Sequence, residues 1–136
     1  MSLSMYQASV PVLTRALGNL RHVLKQGAAH AKAKGGVARL AGTEPLKIED
    51  NETTLVQLDA RLERVIDYID GFRPEQIDGS EERAIVLHMR SGERHFVGQR
   101  YLLDYVLPNV FFHCTTAYDI LRQIGTDIGK KDFLGG

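Results

Sequence analysis

This chain has no tryptophan, a single cysteine, four prolines and no excess of either charge across its 136 residues. Each absence excludes something. One cysteine cannot close an intramolecular disulfide, so nothing points to an oxidising compartment. Seventeen basic residues against seventeen acidic ones leave a formal net charge of zero. Nucleic-acid binders present a clustered basic surface, so no nucleic-acid partner is expected, whereas a neutral surface favours self-association. The opening MSLSMYQASVPVL has neither a basic stretch nor a long apolar core, and so does not read as a signal peptide. The uncharged run from Tyr105 to Tyr118 falls short of the roughly 20 residues a membrane span needs. No membrane association is expected, and the expected location is cytoplasmic. Complete catalytic signatures are also missing: there is no CxxC pair, and GAAHAKAKGG and GKKDFLGG do not make a phosphate loop.

What is present is helical periodicity. Val10, Leu13, Leu17, Leu20 and Leu24 form one stripe of a first helix. Pro11 fits best in or near its first turn; a start at Ser4 would instead free the carbonyl of Gln7 and bend the helix. The pattern fades from Gly27 to Lys34 and stops at Gly35-Gly36, leaving Val37 to Ala41 as a stub of about one turn, closed by Gly42. Pro45 and the acidic run 49–52 read as a connector. Thr54 with Gln57 is a capping-box pattern, and Leu55, Leu58, Leu62, Ile66 and Ile69 form the clearest amphipathic stripe. Arg61, Glu63, Arg64 and Asp67 fall on its outer side, and Gly71 closes it.

After a polar loop from Arg73 to Glu82 the period changes to two. Ile85, Leu87 and Met89 alternate, and Ser91-Gly92 connects them to a second strand through Val97, a β-hairpin. From Gly98 a long helix runs to Gly125, and Phe133 can anchor the tail. The expected architecture is mainly α, with three long helices, one stub and one hairpin.

The segment Tyr101 to Arg122 carries the candidate chemistry. It is apolar on nearly every side, and polar groups on a buried helix must find partners or react. His113 continues the stripe Val106, Val110, Ala117, Ile120 and Ile124, so its ring is expected inward, as a bonded core histidine or as a metal ligand. A metal needs further ligands, and position 117 is Ala. Cys114 sits mid-helix among apolar neighbours, which favours a buried hydrophobe over a reactive thiolate. Pro108 leaves the carbonyl of Asp104 without its helical donor, so a kink is expected there. The candidate pocket lies beside that kink: Asp104, Asn109, His113, Cys114 and Tyr118.

Four segments, SMYQASVPVLTRALGNL, DGSEERAIVLHM, GQRYLLDYVLPNVFFHCTTAYDILRQIG and GKKDFLGG, resemble a bacterial domain-of-unknown-function family, number nineteen ninety-three. Through it the chain is similar to the DinB-like four-helix bundles. That resemblance implies a single DinB-like helical-bundle domain over residues 1–136, here with a shortened second helix plus the hairpin. Relatives in that superfamily bind a divalent metal through three histidines, one on the second helix and two on the last, and include thiol-dependent transferases. Only His113 matches a last-helix position; Ala117 replaces its partner, Lys32 stands near the second-helix histidine, and His30 reads as part of the first helix. No cofactor is evident, although a divalent metal at His113 remains one reading. A stub in place of the second helix would leave an apolar groove, which a second copy of the chain could fill. The functional expectation is an uncharacterised small-molecule-binding or vestigial domain. The alternatives are a metal- or thiol-dependent enzyme using His113 and a homodimeric interaction protein.

Overall fold

A computed structural model describes the backbone of residues 4–23 and 27–135, and side chains for residues 4–14 and 31–135. Four long helices make the body: α1 (Met5–Val23), α2 (Gly27–Leu40), α3 (Leu55–Asp70) and α6 (Leu107–Gln123). Between α3 and α6 come the short helix α4 (Pro74–Ile77), the strands β1 (Ala84–Met89) and β2 (Gly92–Val97), the short helix α5 (Gly98–Tyr101) and a π-helical segment, Leu102–Val106. A last short helix, α7 (Lys130–Leu134), packs on α1. Each of α1 and α2 contacts both α3 and α6, and the long helices pack as a helical bundle. No described helix is long and apolar enough to cross a membrane.

Helix α1 starts just after Ser4, whose hydroxyl accepts from the Gln7 N–H while the Gln7 side chain accepts from the Ser4 N–H. Pro11 is therefore inside the helix rather than in its first turn. Of its expected stripe, Val10 and Leu13 are buried; the side chains of Leu17, Leu20 and Leu24 lie outside the described residues.

The main correction concerns α2. It is a helix of 14 residues that runs through Gly35-Gly36, not a stub that begins after them, and it carries His30 at the backbone level. It is still the shortest of the four. Glycine costs up to about 1 kcal/mol in a helix, but here Gly36 allows two helices to meet. A Cβ at Gly36 would lie 2.5 Å from a methyl of Val106. Ala33, Val37, Ala38 and Leu40 complete the buried face of α2, which leaves no missing helix to replace.

Helix α3 is capped as its sequence predicts, with the Gln57 N–H donating to the Thr54 hydroxyl and the Thr54 N–H to the Gln57 side chain. Leu62, Val65 and Ile69 are buried, but Leu55 is exposed, and Arg61 is buried instead of lying on the outer face. Its guanidinium meets Asp50 at 2.6 Å, Glu52 at 2.6 Å and the Glu49 carbonyl at 2.9 Å. One side chain thus ties the connector onto the bundle.

The hairpin is antiparallel, with Ala84 opposite Val97 and Met89 opposite Gly92. Its turn residues are Arg90-Ser91, one position earlier than the expected Ser91-Gly92. Ile85 and Leu87 point into the core and Met89 does not. Gly98 lets the chain leave the hairpin: a Cβ there would be 1.9 Å from the Ser80 carbonyl oxygen.

Candidate functional site

The five sequence candidates are not brought together. Asp104 is exposed and pairs with Arg100 at 3.2 Å, one turn earlier. Asn109 donates from Nδ2 to the Tyr105 carbonyl at 2.6 Å. This bond lies next to Pro108, and just before it the Leu107 N–H reaches back to Leu102, in π register. The expected interruption is therefore a π segment.

His113 is half-buried and meets the exposed Phe112 ring edge-on at 5.4 Å. The inward face of α6 runs instead through Val110, Cys114, Ala117 and Tyr118, so Ile120 and Ile124 are exposed rather than part of the core stripe. The spacing of 106 and 110 is satisfied by continuing to either 113 or 114, and packing selects the smaller, apolar Cys114. Burial pushes the Cys114 thiol up to about 11 from the ordinary 9.0. Tyr118 is buried, accepts a hydrogen bond from Arg122 at 3.2 Å and packs edge-on against Phe133, which does anchor the tail. Among the described residues no three His, Cys, Asp or Glu side chains converge as metal ligands. The side chains of His22 and His30 lie outside that set.

A different set of residues forms a concavity of about 580 Å³ between α2, the hairpin turn, α5 and the π segment. Its floor is aromatic and apolar. Tyr101 and Tyr105 lie one turn apart and stack at 5.7 Å with an interplanar angle of 16°, and Phe96 from β2 contacts both rings. Leu87 and Met89 add apolar surface. Lys32 from α2 lies 5.6 Å over the Tyr105 ring, and Arg94 approaches the same ring at 5.5 Å. Such contacts hold a cation near an aromatic face without neutralising it.

Arg39 donates to the Tyr101 hydroxyl at 3.2 Å. Its guanidinium lies over Gly35, where a Cβ would come within 2.6 Å of it, so the first glycine of the pair makes room for a side chain. Burial raises the Tyr101 hydroxyl above its ordinary value of 10.0, and the Arg39 charge and hydrogen bond only partly oppose this. Arg90 and His88 stand at the turn. Sequence reasoning missed this site because its parts come from four separate elements. The available signal was Tyr101 and Tyr105 at i, i+4, soon after a strand ending in Phe96-Val97.

A second concavity is lined by Lys47, Glu49, Glu52, Arg61 and Arg64, with polar groups around the buried arginine. Desolvation tends to raise the Glu52 carboxyl, but a backbone hydrogen bond and Arg61 outweigh it and hold Glu52 below 4.5. Burial, with Arg61 beside it, lowers the Lys34 ammonium below 10.5. These groups read as an ion-pair clasp for the connector.

Comparison with known proteins agrees with this architecture. No functionally curated protein matches the chain. Among solved structures, the chain is similar to the crystal structure of a DinB family member protein from Shewanella denitrificans. The TM-score is 0.81 at 28% identity, covering 96% of this chain and 92% of that one. The family described as "Domain of unknown function (DUF1993)" matches residues 32–134, which include all the described lining of the aromatic concavity except Ala31. With this match over most of its length, and with a DinB-like fold, the chain belongs to the DUF1993 family.

Proposed function

We propose that this uncharacterised DinB-like protein is a small-molecule-binding domain, and that its ligand occupies the concavity floored by Tyr101 and Tyr105. The observation that carries the reading is the concavity itself. Its volume, about 580 Å³, lies in the range of small-molecule sites, which are roughly 300–1,000 Å³, mostly apolar and furnished with a few placed polar groups. The π segment beside it supports the same reading, since π turns inside helices recur at functional sites. The test is a thermal-shift screen of a fragment library against the full chain and a Tyr105→Ala variant. Hits whose stabilisation vanishes in the variant support the site. A screen in which every hit stabilises both chains equally counts against it.

The metal-dependent enzyme is the second reading, favoured by one backbone fact. Helix α2, which carries His30, packs against α6, which carries His113. Metal analysis of the purified protein tests it: stoichiometric zinc, nickel or iron that disappears in His113→Ala would move the functional site to that pair of helices.

Self-association is part of the proposal for the molecule as a whole. Phe112 and Ile120 on the outer face of α6, with Ile124 just past its end, are 64%, 53% and 73% exposed. That stripe is the surface we assign to a homodimer contact, in place of a groove left by a missing helix.

A further inference from the structure

We infer that the aromatic concavity takes an organic anion with a planar apolar body, an aryl carboxylate or aryl phosphate. The inference rests on the small-molecule reading above and adds the charge and shape of the ligand. Lys32, Arg39 and Arg90 line the cavity, and its described lining contains no carboxylate. Arg94 stands against the Tyr105 ring that forms its floor. Among the described residues none of these four cations makes an ion pair with an acid. The acid nearest in the hairpin, Glu93, is held by His88 at 3.1 Å and His95 at 3.3 Å.

In a chain with equal numbers of both charges, such a gathering of unmatched cations is a local excess with a preferred counter-charge. Arg39 is also held in place: the Tyr101 hydroxyl accepts from it, and the missing Cβ of Gly35 gives its guanidinium room. A guanidinium fixed this way can present paired donors to a carboxylate or phosphate. Met89 and the half-buried Tyr105 ring, backed by the buried Tyr101 and Leu87, face the rest of the ligand and call for a flat, apolar group rather than a bare ion.

The experiment is titration calorimetry on the full chain with four probes: naphthyl phosphate, naphthoate, uncharged naphthol and inorganic phosphate. The two aryl anions should bind, with naphthol and inorganic phosphate each about tenfold weaker or worse, because each lacks one half of the recognition. Raising the salt from low to moderate concentration should weaken the aryl anions and leave naphthol unchanged. Lys32→Gln and Arg39→Gln should each reduce aryl-anion affinity by about tenfold, Arg39→Lys by less, and Arg73→Gln, just before α4, should have no effect. Melting curves confirm that the variants are folded, and the salt series on the unaltered chain tests the charge term without any variant.

Naphthol binding as tightly as the anions, and lost in Tyr105→Ala, would overturn the anionic ligand while sparing the small-molecule site. Inorganic phosphate binding as tightly as naphthyl phosphate would overturn the planar body. No binding of any probe at millimolar concentration would overturn the aryl-anion ligand, whereas the small-molecule site itself falls only if the fragment screen also finds no hit that depends on Tyr105.

Discussion

At the scale of single residues, neighbours decide what each side chain can do. Cys114 is 2% exposed and its thiol is pushed up to about 11. At pH 8 the folded chain should therefore hold about a hundredfold less thiolate than an ordinary cysteine of pKa 9.0. Labelling by a disulfide reagent at that pH should be slower than in the urea-unfolded chain by at least that factor. A rate within a few-fold of the unfolded chain would contradict the burial. Because the folded state holds this proton more tightly, the associated stability is present below pH 9 and is lost as the pH rises toward 11.

The adjacent glycines of α2 make a sharper contrast. Gly36→Ala drives a methyl into Val106, the side chain of a packed helix, and should destabilise by about 1–3 kcal/mol. Gly35→Ala meets only the end of the Arg39 side chain, which can swing away. There the gain in helix propensity, up to about 1 kcal/mol, should leave the melting temperature unchanged or higher. Its effect should instead fall on ligand binding, through the displaced guanidinium. Equal melting shifts for the two variants would refute the close α2–π-segment contact.

At the scale of elements, two predictions concern attachment. The connector before α3 has few apolar residues and is held by Arg61 through Asp50, Glu52 and the Glu49 carbonyl. Glu52 is held below 4.5, so its contribution is present above pH 4.5 and is lost as the pH falls through the lowered value. Arg61→Met should lower the melting temperature at neutral pH, and the difference from the parent should shrink on acidification. A difference that stays constant down to pH 3 would show that the clasp does not titrate. At the other end of the chain, Phe133→Ala should loosen α7 from Tyr118 and α1, costing about 1–3 kcal/mol for a half-buried ring. Amide exchange confined to residues 126–135 would report it.

At the scale of the whole molecule, the exposed Phe112, Ile120 and Ile124 are, among the described residues, one departure from a surface that needs no partner. Sedimentation should give twice the chain mass at micromolar concentration, and Phe112→Asp or Ile124→Asp should return the monomer without loss of fold. A parent that remains a cooperative monomer at those concentrations would rule out this contact.

The sequence by itself determined a good deal: the helical class, the Thr54 cap, the hairpin and the anchoring Phe133. These depend on short-range spacing and capping, which one stretch of chain contains in full. The family resemblance was legible too, because it sits in contiguous motifs. Four matters were decided only by tertiary structure, for one physical reason: each depends on a contact between separate segments of the chain. A Gly-Gly pair normally ends a helix, and only the close approach of Val106 makes it favourable to continue. An arginine on a helix normally faces water, and only the folded-back connector gives Arg61 its carboxylates. On α6 both 113 and 114 satisfy the periodicity, and only packing turns Cys114 inward and leaves His113 half out. The aromatic concavity belongs with these, since Lys32, Arg39, Leu87, Tyr101 and Tyr105 come from separate elements and meet only when α2, the hairpin, α5 and the π segment have packed.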